Sequence, residues 1–138
     1  MVEIVFPVEF IVKGTPVSLQ AKRAASRDEW KQRVRTASSG ALPSPHFVSD
    51  EKVAVTLFYF PVERMKGDID NIVKPVLDAL SRHVYADDEQ VERVVVQKFE
   101  PGSVFTFTQP SVQLAEALDS AKPLLYIKVS NDFFEEIY

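Results

Sequence analysis

From residue 2 to residue 12 the even positions read Val2, Ile4, Phe6, Val8, Phe10 and Val12, while Glu3, Glu9 and Lys13 fall on odd ones. That period of two predicts a strand, closed by Gly14 and Pro16. Residues 27–38 carry Trp30, Val34 and Ala37 at helical spacing, with Ser26 as the predicted N-cap and Asp28 and Glu29 in the first turn, where acids complement the helix dipole. A loop holding Gly40, Pro43 and Pro45 follows. Val53–Phe60 predicts a second strand, rich in β-branched and aromatic residues and apolar on both faces. Such a strand is covered on two sides, or by helices on one side and a partner chain on the other.

A helix is predicted over residues 71–81, where Ile72, Val73, Val76, Leu77 and Leu80 are apolar. Pro75 lacks an N–H and belongs in a first turn, so the regular helix starts at Asp70 or later. Residues 91–99 read as a third strand and 108–121 as a third helix, with Thr108 or Gln109 ahead of Pro110 at its start. Leu124–Ser130 reads as a fourth strand. The alternation of strand and helix predicts an α+β fold in two layers, a mixed sheet of roughly four strands with helices packed on it. A chain of 138 residues suits one domain spanning all of it.

Composition narrows the chemistry. With no cysteine, disulfides, thiolate zinc sites and a cysteine nucleophile are excluded, which fits a cytoplasmic protein. No apolar run approaches the roughly 18–20 residues that span a bilayer, and the N-terminus lacks the basic and hydrophobic blocks of a signal peptide. A soluble, unprocessed chain with no membrane partner is expected. The net charge of −4 argues against a partner held by bulk electrostatics, but it hides a division. Residues 13–40 carry seven Lys and Arg against two acids, whereas residues 100–138 carry two against six.

The densest ionisable cluster holds Asp68, Asp70, Asn71, Lys74 and Asp78, followed by Asp87, Asp88 and Glu89. Asp68 and Asp70 are two apart in an extended entry to a helix, which puts both carboxylates on one side, and Asp70, Lys74 and Asp78 follow at a spacing of four. Confined carboxylates repel one another, so such a cluster commonly holds a divalent cation or a proton. Oxygen donors point to Mg²⁺ or Mn²⁺ more than to zinc. The plainer alternative is that Asp68 and Asp70 cap the helix, Asp87 and Asp88 form a turn, and Lys74 pairs with Asp70 or Asp78. Two acidic turns flanking a short helix, with a lysine beside them, favour a site that holds a phosphate.

The run Asp68, Asp70, Asn71, Lys74, then Asp78-Ala79-Leu80, then Asp87-Asp88-Glu89-Gln90-Val91 resembles the RusA family of Holliday junction resolvases, Mg²⁺-dependent endonucleases. The resemblance extends to Gly14-Thr15-Pro16-Val17-Ser18 and the basic helix with Trp30, and covers roughly residues 10 to 98. It implies a small α+β subunit acting as a homodimer on four-way DNA junctions. It further implies Asp68, Asp70 and Asp88 as metal-binding catalytic acids, Lys74 as the catalytic lysine and Mg²⁺ as cofactor, with Mn²⁺ as a substitute. Asp87 is a further candidate ligand or a turn cap. No motif is recognised in residues 99–122, and the acidic tail departs from the basic character expected of a junction-binding relative. A non-catalytic nucleic-acid or protein-interaction module that retained the fold is the alternative function.

Arg23, Arg27, Lys31 and Arg35, spaced by four, form a basic ribbon if the helix extends back to Arg23, and Lys22 and Arg33 add charge nearby. Lys22, Arg23, Arg27, Lys31 and Arg35 are therefore DNA-binding candidates, against the alternative of a solvated helix face. His46 and His83 stand apart from any Ser or Cys motif and are expected at the surface. A dimer interface is expected from Val53–Phe60 together with Phe105, Phe107, Phe133 and Phe134.

Overall fold

The computed structural model describes residues 1–17 and 23–137. The first strand, β1, is Val8–Lys13, shorter than the alternation suggests because Pro7 has no N–H to give to a ladder. Val2 makes only an isolated bridge with His46. Helix α1 is Ala24–Ser39 and begins ahead of the predicted start, since Ala24 and Ala25 are strong helix formers. Arg23, not Ser26, takes the N-cap position, and Asp28 and Glu29 lie beyond the first turn. Strand β2 is Val53–Phe60, as expected. A 3₁₀ turn over Ile69–Ile72 leads into α2, Val73–Leu80, with Pro75 in its first turn. Strand β3 is Val91–Lys98. Helix α3 is Val112–Asp119, shorter than predicted, because the Ser111 hydroxyl accepts from the Leu114 N–H and caps it after Pro110. Strand β4 is Leu124–Ser130.

The sheet order is β1-β4-β2-β3. Strand β4 lies antiparallel between β1 and β2, and β2 pairs parallel with β3. A parallel pair needs a crossover, and α2 supplies it. This is the mixed α+β sheet that the alternation predicts. The strand ends of β1 and β2 and the start of β4 consequently meet at one end of the sheet.

Both faces of β2 are covered within one chain. Trp30 and Val34 of α1 and Val76 and Leu80 of α2 pack on Val55, Leu57 and Ile127. On the opposite face Phe58, Phe60 and Tyr126 meet Phe99, Phe107 and Leu114. Phe58 and Phe99 cross edge to face at 5.3 Å, a favoured geometry for aromatic pairs. Val53–Phe60 is buried along its whole length, so the expected partner-chain interface cannot include it, nor Phe107. Phe105 and Phe134 remain exposed.

The acidic tail folds onto its own chain. Arg93 Nη1 donates to the carbonyls of Phe133 and Glu135, Lys128 pairs with Glu135 at 3.1 Å, and Ile137 packs against the second cluster. Of the tail acids, Glu135 is thus neutralised within the chain. Leu57 is fully buried at the centre of the sheet. Leu57→Ala is expected to cost about 2–5 kcal/mol in urea denaturation, the range for a buried leucine that leaves a cavity. A destabilisation below about 1 kcal/mol would contradict that packing.

Candidate active site

The site is built around the crossover. Asp68 sits at the N-cap position of the 3₁₀ turn in extended conformation, and its side chain makes no capping bond. Asp70 follows in that turn. Both are exposed, and among the described residues neither carboxylate has a hydrogen-bond or ion-pair partner. The helix-cap alternative for Asp68 therefore does not hold. Gly67 takes φ +84° ahead of Asp68, a left-handed conformation that glycine adopts without strain, and this turns the chain into the site.

Lys74 lies in the first turn of α2, with its ammonium 2.9 Å from Asp78 Oδ1 and 2.9 Å from Asp88 Oδ2. These two bonds, the Asp78 one foremost, raise its pKa well above the ordinary lysine range, so it is a permanent cation at neutral pH. Asp88 is fixed from a second side by Tyr85, whose buried hydroxyl lies 3.1 Å from the Leu77 carbonyl and 3.4 Å from Asp88 Oδ1. Burial first, and the Asp88 charge second, push the Tyr85 pKa upward and keep the phenol protonated.

Asp87 has a different task. Its carboxylate accepts from the Glu89 N–H, and Gln90 Oε1 accepts from the Asp87 N–H, which completes a capping box. Gln90 Nε2 donates to the carbonyls of Ser49 and Glu51 and pins the turn that carries Asp88. Of the predicted residues, Lys74 and Asp88 are in direct contact, Asp68 and Asp70 have no partner among the described residues, and Asp87 caps the turn. The sequence assigned no role to Tyr85 or Gln90. A tyrosine three residues before Asp88 was the available signal.

The donor set is all oxygen, which suits a hard divalent cation. Two unpartnered aspartates agree with that chemistry. Among the described residues, no three carboxylate or imidazole side chains converge into a cation-binding group, and Asp88 is turned to Lys74.

Two members of the basic ribbon, Lys31 and Arg35, reach α2 beside this site. Lys31 Nζ lies 3.9 Å from Asp78 Oδ2, and Arg35 Nε donates to the Ala79 carbonyl at 2.9 Å. Arg33 donates to the Lys13 carbonyl and packs on Gly14, where a Cβ would approach Arg33 Nη1 to 2.7 Å. Arg23 is exposed, and Lys22 lies outside the described residues. Arg35 thus ties α1 to the end of α2. Arg35→Ala is expected to lower stability by about 1.5–3 kcal/mol, the scale of hydrogen bonds to a charged group. Replacing Arg23, Arg27 and Lys31 together with Ala is expected instead to flatten the salt dependence of DNA binding, by roughly 0.9 in log-log slope for each phosphate no longer neutralised. An unchanged slope would place these three off the DNA.

His83 is not a free surface histidine. Its Nε2 lies 2.8 Å from Ser38 Oγ, and its ring meets His46 edge-on at 5.7 Å. Burial, with His46 and Arg35 nearby, lowers its pKa. A lowered histidine pKa means that the unfolded chain takes up the proton first. The stability it contributes is therefore full above about pH 6.5 and declines as pH falls from there through the folded value. The thermal midpoint is expected to drop between pH 7 and pH 5, and to drop less in His83→Gln. An equal drop in both proteins would assign the acid sensitivity elsewhere.

An α+β domain with free aspartates and a clamped lysine at one crossover has the chemistry of a phosphodiester-cleaving enzyme. The family model described as endodeoxyribonuclease RusA matches residues 13–106, well over half of the chain. The chain belongs to the RusA family of endodeoxyribonucleases. Among curated proteins none matches it. The family acts on branched DNA junctions, and nucleases of this type generally depend on a divalent metal. No helix among the described residues is long and apolar enough to cross a membrane.

Proposed function

We propose that this chain is a divalent-cation-dependent resolvase that cuts four-way DNA junctions in paired, symmetric positions as a homodimer. The observation that carries the reading is the Lys74 ammonium held by Asp78 and Asp88 beside the unpartnered Asp68 and Asp70. Asp68, Asp70 and Asp88 are the residues that would hold Mg²⁺, with Mn²⁺ as a substitute. Such an ion lowers the pKa of a bound water and stabilises charge on the scissile phosphate.

The chain's own groups do the rest. Lys74 offers a fixed positive charge to a non-bridging phosphate oxygen, where negative charge grows during attack. Its proton stays in place, because both carboxylate partners stabilise the ammonium. Asp88 and Asp78 orient it, and the Tyr85 hydroxyl shares its one proton between the Leu77 carbonyl and Asp88. Arg23, Arg27 and Lys31 on α1 supply a basic track along which a DNA arm is held, whereas Asp87 serves the turn. A binding module without catalysis would have no use for two unpartnered acids beside a clamped lysine. We further place the protein in the cytoplasm, which its cysteine-free composition suits.

Two-fold symmetry in the protein should match the two-fold symmetry of a junction, so that two strands are cut before the complex separates. Sedimentation of the free protein, with cuts mapped on a junction of fixed branch point, tests this. A dimer that leaves paired symmetric nicks is expected. A monomer that leaves single, unpaired nicks would defeat the resolvase reading.

A further inference from the structure

The segment after β1 and the loop after β2 face one another across the end of the sheet. Between them lies a cavity of about 360 Å³, which Asp68 borders. Tyr59 and Ile72, both buried, line it, and Pro16 and Pro123 also border it. Met65 borders it as well, and its backbone N–H donates to Glu100 Oε2 at 2.7 Å, which anchors the loop. Arg64 and Lys66, both exposed, bring positive charge to the cavity. The cavity adjoins the acid–lysine site at Gly67 and Asp68, and none of its other lining residues has a role in that site or in the basic ribbon.

Its chemistry complements that of a nucleobase. A base has flat apolar faces and polar edges, and single-stranded nucleic acid is held by pairing an aromatic or apolar platform with basic groups that follow the backbone. The cavity has apolar walls, in which the buried Tyr59 is the one aromatic residue, and a rim where Arg64 and Lys66 alternate with the acids Glu63 and Asp68, the latter assigned to the cut. Resting on the nuclease reading above, we infer that this cavity receives one unstacked base of a nucleotide flanking the scissile phosphate, with Arg64 and Lys66 facing the adjacent backbone. Thr15 and Pro16 thereby gain a role as one wall of a base-binding pocket.

The test uses four-way junctions with a single abasic sugar immediately 5′ or 3′ of the mapped cut, under single-turnover conditions. One of the two positions is expected to slow cleavage by about tenfold, the scale of one base–aromatic stack. Cleavage at the intact-junction rate with either abasic sugar would overturn the inference. A 2-aminopurine at the sensitive position should brighten when the protein binds without divalent cation. Thr15→Phe, which narrows the cavity, should suppress that brightening while the circular dichroism spectrum and thermal midpoint of the protein stay at their wild-type values. Brightening unaffected by Thr15→Phe would place the base elsewhere. If the intact junction is not cut at all, the nuclease reading fails, while the fluorescence arm, run with the label at each position in turn, still decides whether a base is captured.

Discussion

Asp70→Asn is expected to abolish junction cleavage while junction binding stays within a few-fold of wild type. The substitution removes one negative charge at nearly constant shape, and it breaks no bond to any described partner in the fold. A defect in cutting therefore reads chemistry and not unfolding. Asp68→Asn and Asp88→Asn should behave alike, with turnover down by at least about a hundredfold, the order seen when one electrostatic group is removed from a hydrolytic site. Asp87→Asn is the contrast. Its carboxylate caps the turn that carries Asp88, so the variant should be about 1 kcal/mol less stable and still cut. Wild-type turnover by Asp68→Asn, Asp70→Asn or Asp88→Asn at saturating Mg²⁺ would remove that residue from the catalytic set.

Lys74→Ala carries the second large effect, a fall of roughly 100- to 1,000-fold in turnover with the fold retained. The side chain is about half exposed, so its removal opens no cavity, but it leaves Asp78 and Asp88 without their shared cation. Because those two bonds raise the Lys74 pKa, its charge is complete at neutral pH and persists as pH rises past the ordinary lysine value. An alkaline limb in the pH profile below about pH 10 would belong to another group. Asp78→Asn should be milder, since Asp88 still holds the ammonium. Normal cutting by Lys74→Ala would reduce the lysine to a surface ion pair.

The strands were legible because their signal is local. Val53–Phe60 and Leu124–Ser130 are apolar at nearly every position, as strands buried on both faces must be, and their predicted bounds match the structure. Helix ends were less so. Ser26 and Ser111 are equally good caps in isolation, and the alanines before Ser26 carried α1 past it while Pro110 left Ser111 in place. In the site, the spacing of Lys74 and Asp78 announces a helical pair, but the Lys74–Asp88 contact depends on how the crossover returns to β3. Arg35 shows the opposite case, a spacing that is legible and a backbone partner that is not. A spacing of four placed it on a basic ribbon, whereas the packing of α1 against α2 gave its guanidinium a backbone carbonyl. Tyr85 was hidden because a buried hydroxyl looks like any aromatic core residue until its partner is located.

The central claim is that the Asp68, Asp70, Asp88 and Lys74 site cuts branched DNA with the help of a divalent cation. The most direct measurement incubates purified protein with an end-labelled four-way junction and a duplex of matching sequence, each with Mg²⁺ and with chelator. Cleavage of the junction alone, only in the presence of Mg²⁺, is the predicted result. Equal cutting of junction and duplex, cutting that persists in chelator, or no cutting of either DNA would contradict it.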